Sequence, residues 1–84
     1  YGTAITRDAL LKIAGAEDVI RSLGFLEFRV RCHGDTARIE ATGADIGRLL
    51  DGAVRREVTR RLRDLGFRFV TVDLEEFRSG RFDE

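Results

Sequence analysis

Phe28-Arg29-Val30-Arg31-Cys32-His33 and Thr36-Ala37-Arg38-Ile39-Glu40-Ala41 each alternate polar and apolar side chains with a period of two, and Gly34-Asp35 stands between them. That period is the signature of a strand with one buried face. Glycine followed by aspartate suits a two-residue hairpin turn, because glycine accepts the positive φ such turns require. With Gly34 and Asp35 as the turn, Cys32 faces Ala37, Val30 faces Ile39 and Phe28 faces Ala41, so every apolar residue falls on the same side. The register is self-consistent, and its apolar side calls for a covering layer.

The other side of the same hairpin gathers three arginines. Arg31 stands directly opposite Arg38, and like charges facing each other across a strand pair repel, so something negative is expected nearby. Arg29 and Arg31 are two residues apart, roughly 6–7 Å along the strand, which suits them to grip one phosphate or two neighbouring ones. The alternative is an ordinary solvated face on which Glu27, Glu40 and other carboxylates neutralise the arginines. Spacing alone leaves both open.

Upstream, Thr6 is placed as a helix N-cap with Asp8 in the first turn, and Ala9, Leu10, Ile13, Ala16, Ile20 and Leu23 recur at helical spacing until Gly24. After a break at Thr42-Gly43, a short helical piece runs from about Asp45 to Leu50 with Ile46, Leu49 and Leu50 on its buried side. Gly52 interrupts it. A longer helix carries Val54, Val58, Leu62 and Leu65, stops at Gly66, and leads into a strand across residues 67–74, with Val70, Val72 and Leu74 on the buried side. The tail from Glu75 onward is polar and expected to be loosely held. Leu23-Gly24-Phe25 and Leu65-Gly66-Phe67 repeat one helix, glycine, strand pattern, as αβ joints with a glycine stop do without any duplication.

The predicted class is α+β, in the order α-β-β-α-β, with a three-stranded, mostly antiparallel sheet of strand order 2-1-3 and helices on one face. In that arrangement the open face carries Arg29 and Arg31 on the central strand, Arg38 and Glu40 on one flank, and Thr71 and Asp73 on the other. Asp73 is then a natural partner for an arginine. Glu17 falls at the margin of the first helix's apolar stripe, either paired with Arg21 at i+4 or held close to a site.

At 84 residues the chain makes one domain, which buries only about 60–65% of its unfolded surface. Fifteen basic and fifteen acidic residues balance, so net field excludes a general nucleic-acid or membrane binder, and any basic site is local. Single-stranded nucleic acid would need aromatic platforms, and only Phe69 is placed to serve. No apolar run is long enough to span a bilayer. The single cysteine, Cys32, cannot form an internal disulfide and lies on the apolar side without an activating base; a reduced, cytoplasmic setting fits. His33 reads as an exposed neighbour of the turn. No metal-ligand spacing, Walker-type loop or Ser-His-Asp set is present. Fourteen arginines against Lys12 carry no functional weight, since a composition bias explains the imbalance equally well. A start at Tyr1 rather than methionine is expected of a piece of a longer protein.

Tyr1-Gly2-Thr3-Ala4-Ile5-Thr6, Leu23-Gly24-Phe25, the run from Arg29 to Glu40, Leu65-Gly66-Phe67, and Val70-Thr71-Val72-Asp73-Leu74-Glu75 with Arg78-Ser79-Gly80 together resemble the C-terminal domain of the ATP-dependent sacrificial sulfur transferases, the LarE family of the PP-loop ATP pyrophosphatase superfamily. The likeness runs over essentially the whole chain. It implies that residues 1–84 form a single C-terminal substrate-binding and assembly domain. The family's N-terminal PP-loop domain, with ATP and Mg, adenylates a carboxylate of a pyridinium mononucleotide on the route to the nickel-pincer nucleotide cofactor. In the best-known form a cysteine, here expected shortly before Tyr1, then gives up its sulfur; other members have other cysteine arrangements, so the sulfur source stays open. Residues 1–84 alone would be inactive, and Cys32, where the family often has histidine, is not the donor.

The resemblance places Glu17, Arg29 and Arg31 at substrate-site positions, the arginines suited to the substrate phosphate, with Arg38 and Asp73 as possible accessories from the sheet geometry. It implies two further partners, the chain's own N-terminal domain and other copies in a homo-oligomer. Glu76-Phe77 and Arg81-Phe82 depart from the family's Gly-Tyr and Ser-Met. The competing expectation is a non-catalytic subunit-association or regulatory αβ domain.

Overall fold

The computed structural model describes residues 6–77. Tyr1 to Ile5 and the Arg78-Ser79-Gly80 and Arg81-Phe82 positions quoted above lie outside them. The elements are α1 (Arg7–Ser22), β1 (Phe28–His33), β2 (Thr36–Ala41), α2 (Gly43–Leu49), α3 (Gly52–Asp64) and β3 (Phe69–Val72). The class is α+β, as the periodicities predict.

Thr6 caps α1, its Oγ1 accepting the Ala9 N–H at 3.0 Å. The helix buries Ala16, Val19 and Ile20. Leu10, expected in that stripe, is 55% exposed. At ~100° per residue it lies about 120° around the helix from Ala16, beyond the width of the buried face.

The two αβ joints are built alike. Gly24 and Gly66 have φ of +97° and +111°, and each donates its N–H to the carbonyl three residues back, Arg21 and Arg63, at 3.0 Å. The left-handed residue turns the chain sharply, so the phenylalanine after each glycine drops into the core. Phe25 and Phe67, with Ile20 and Leu62, are the largest fully buried side chains. Both helix ends also receive a cation: Lys12 Nζ donates to Gly66 O at 3.4 Å, and Arg48 Nη2 to Leu23 O at 3.4 Å, with the Arg48 guanidinium 4.1 Å from the Phe25 ring centroid.

The hairpin has the predicted register, with Phe28 opposite Ala41, Val30 opposite Ile39 and Cys32 opposite Ala37. Its turn places Gly34 at φ +58°. The strand order does not follow the prediction: it is β1-β2-β3, with β2 in the centre, not 2-1-3. β3 returns through α2 and α3 to pair directly with β2 in parallel, Ala37 opposite Val70 and Ile39 opposite Val72. Two physical features place β2 inside. Its buried face, Ala37, Ile39 and Ala41, is at most 2% exposed, whereas Phe28 and Cys32 on β1 stay half-buried. The Asp35 carbonyl in the turn also accepts the N–H groups of Arg68 (2.8 Å) and Phe69 (3.2 Å), which seats the start of β3 beside β2.

Two ends differ from expectation. Leu50 and Leu74 are 51% and 81% exposed, because α2 and β3 close at Leu49 and Val72, one and two residues before them. Residues 75–77 are not loose. Phe77 N–H donates to Ala41 O at 2.7 Å, and Glu76 Oε1 accepts the Gly43 N–H at 3.1 Å. Thr42 makes no side-chain cap for α2, so this carboxylate serves its N-terminus from the far end of the chain. Among the described residues no helix is long and apolar enough to cross a membrane.

Candidate anion-binding site

Alternation along β1 and β2 puts Arg29, Arg31, Arg38 and Glu40 on the face away from the core. Arg31 and Arg38 are paired across the ladder, as the register predicts. Their repulsion is relieved by one oxygen: Glu40 Oε2 accepts from Arg31 Nε at 3.0 Å and from Arg38 Nη2 at 2.8 Å. Burial of Glu40 works to raise its carboxyl pKa, but the hydrogen bonds and charges of Arg38 and Arg31 outweigh that and hold it below its ordinary value of 4.5. Asp73 Oδ2 lies 3.9 Å from Arg38 Nε, a buried nitrogen with no hydrogen-bond partner.

Arg29 is held differently. It stands opposite Glu40 in the ladder, yet among the described residues it forms no salt bridge; its guanidinium instead lies over the Phe77 ring, 5.2 Å from the centroid. A cation on an aromatic face keeps its N–H donors, which point in the guanidinium plane, free for another acceptor.

With β2 central, Arg29 and Arg31 lie on the outer strand rather than in the middle of the sheet. A cleft of about 910 Å³ runs along that edge, lined on one side by Thr6 and by Ala9, Lys12 and Ile13 of α1 and on the other by Arg29, Arg31 and Arg38. Asp8 and Asp35 also line it, so the cleft is mixed in charge. The structure thus brings Arg29, Arg31 and Arg38 to one cleft. Asp73 touches the group through Arg38 alone. Glu17 is half-buried on α1 and is not among the lining residues; Arg21, its candidate partner, pairs with Asp18 at 3.5 Å and lies over the Phe28 ring at 5.5 Å.

Cys32 is half-buried and donates to Gly34 O at 3.4 Å, and both it and His33 line the cleft. No group of three or more potential metal ligands occurs among the described residues. Lys12 and Phe77 are the participants that sequence reasoning missed. An isolated aromatic in a polar tail was the available signal for Phe77.

These features define a small α+β domain whose sheet edge presents arginines to an open cleft. No protein-family model matches the chain. It is 49% identical over all of its length to pyridinium-3,5-bisthiocarboxylic acid mononucleotide synthase of Lactiplantibacillus plantarum, and 34% identical over 99% of its length to an uncharacterized protein of Synechocystis. The chain spans 30% and 31% of those two proteins. It belongs to the LarE family, as a relative of its C-terminal portion.

Proposed function

We propose that this chain is the substrate-binding and assembly domain of an ATP-dependent sulfur transferase in nickel-pincer nucleotide synthesis, and that Arg29 and Arg31 hold the phosphate of a pyridinium mononucleotide. Family membership supports the sulfur-transfer setting. The observation that carries the phosphate reading is the pair itself. Arg29 and Arg31 share a cleft on an open strand edge, Arg29 without a carboxylate partner among the described residues and Arg31 bound to Glu40 only through Nε. A phosphate dianion supplies a negative partner for Arg29, which no carboxylate pairs with among the described residues.

In this reading adenylation, with its ATP and Mg, belongs to an N-terminal PP-loop domain, and this chain contributes no bond-making group. The enzyme works in the cytoplasm. On the family likeness, Cys32 is not the sulfur donor. Glu17 keeps its substrate-site role on the family likeness. Leu10 and Leu11, 55% and 62% exposed beside the cleft-lining Ala9 and Lys12, support a role in assembly with other domains or subunits.

The test is titration with a pyridinium mononucleotide and with inorganic phosphate, followed by backbone and arginine side-chain NMR. Arg29→Ala and Arg31→Ala are each expected to weaken binding about tenfold, the scale of one charge-assisted hydrogen bond. Affinity unchanged in both variants overturns the assignment.

A further inference from the structure

Residues 75–77 cross from the end of β3 to the end of β2 and are fastened at both of their last two positions, by Glu76 on the Gly43 N–H and by the Phe77 N–H on Ala41 O. The fastening delivers one aromatic ring to one guanidinium, that of Arg29. We propose that Phe77 is a positioning residue for the anion site: it fixes Arg29 in place for the ligand without occupying any of its donors. The inference rests on the phosphate reading above and adds to it a residue from outside the arginine hairpin.

The two arginines of β1 are held by opposite means. Arg31 is fixed by a carboxylate, which spends its Nε–H and adds a negative charge beside the ligand. Arg29 is held against an uncharged ring, which adds no opposing charge, and among the described residues no hydrogen bond or salt bridge engages its guanidinium. Arg29 is therefore the stronger anion contact of the two, provided its long side chain is kept from wandering. An arginine loses considerable rotamer freedom when a ligand immobilises it, and a ring that has already ordered it removes part of that cost from binding. The departure from the family's Gly-Tyr at residues 76–77 leaves this intact, since phenylalanine offers the same face as tyrosine and the glutamate adds the tie to α2.

The experiment is titration of the chain and its variants with inorganic phosphate, read at the Arg29 Nε–Hε resonance, with the β1 and β2 amide signals as the control for folding. Phe77→Ala is expected to weaken phosphate binding roughly two- to fivefold, the range of a cation–π contact at an exposed site. Phe77→Tyr should match the parent chain. In an Arg29→Ala background the Phe77→Ala change should have no further effect. Should Phe77→Ala disturb the fold, Phe77→Leu keeps apolar bulk without a π face and should show the same weakening.

Equal affinity in Phe77→Leu and the parent, or a Phe77 effect that persists without Arg29, overturns the proposal while leaving the phosphate reading standing. Failure of the parent chain to bind phosphate overturns that reading instead. The ¹⁵N relaxation of Arg29 Nε then decides the positioning claim, with unchanged mobility in Phe77→Leu counting against it.

Discussion

Glu40 carries the electrostatics of the sheet's polar face. Its carboxylate joins two arginines that would otherwise repel across the ladder, and its side chain is only 12% exposed. Replacing it with glutamine removes the charge, keeps the shape, and is expected to cost about 1 kcal/mol of stability at neutral pH, the figure for a charge-assisted bond discounted for half-exposed partners. The pH dependence follows from the direction of its pKa. The folded value lies below the ordinary 4.5, so the stabilisation is complete above that value and is lost as pH falls through the folded one. Urea midpoints of the parent and Glu40→Gln should differ by a constant amount above about pH 5 and converge in acid. A constant gap down to the acid transition sinks the assignment. At this scale the arginine cluster, its facing pair and the need for a nearby carboxylate were all legible from alternation and the turn. The sharing of one oxygen by two arginines was not, because it depends on rotamers that period-two reasoning leaves free.

The elements are held at their joints, and each αβ joint turns on a glycine with positive φ. Gly24 and Gly66 hold equivalent positive φ angles, so alanine at either forces a β-carbon into a conformation that costs about 1–2 kcal/mol. The surroundings then separate the two. A β-carbon on Gly66 meets Lys12 Cε at 3.0 Å, the same lysine that caps α3, whereas one on Gly24 finds only Arg48 Nη2 at 3.5 Å. Gly66→Ala should therefore lower the thermal midpoint more than Gly24→Ala, and the reverse order would mean that the Lys12 contact yields freely. Glycine stops, caps and periodicity made every element legible. The errors fall at ends and margins: Leu50 and Leu74 were assigned to faces of elements that end before them, and Leu10 to a stripe narrower than its angle allows. Hydropathy marks a leucine as apolar but does not say where the covering layer stops.

At the scale of the whole molecule, one fact moved the site: β2, not β1, is the middle strand. Adjacent pairing of β1 with β2 was legible. The choice of which hairpin strand receives β3 was not, because each presents one apolar face and the deciding contacts run from the Asp35 carbonyl to Arg68 and Phe69. The consequence is functional, since an edge strand exposes Arg29 and Arg31 to a ligand from the side as well as from above. Hydrogen exchange tests the order directly. In β2, amides on both sides have strand partners, with β1 across one ladder and β3 across the other, so Ala37, Arg38 and Ile39 should all exchange slowly. In β1 only alternate amides face β2, so slow and fast exchange should alternate from Phe28 to His33. A 2-1-3 sheet inverts that pattern, with β1 uniformly slow and β2 alternating. A phosphate or mononucleotide bound by the arginines should leave the alternation along β1 in place, whereas a polypeptide strand added to the open edge should slow its remaining amides.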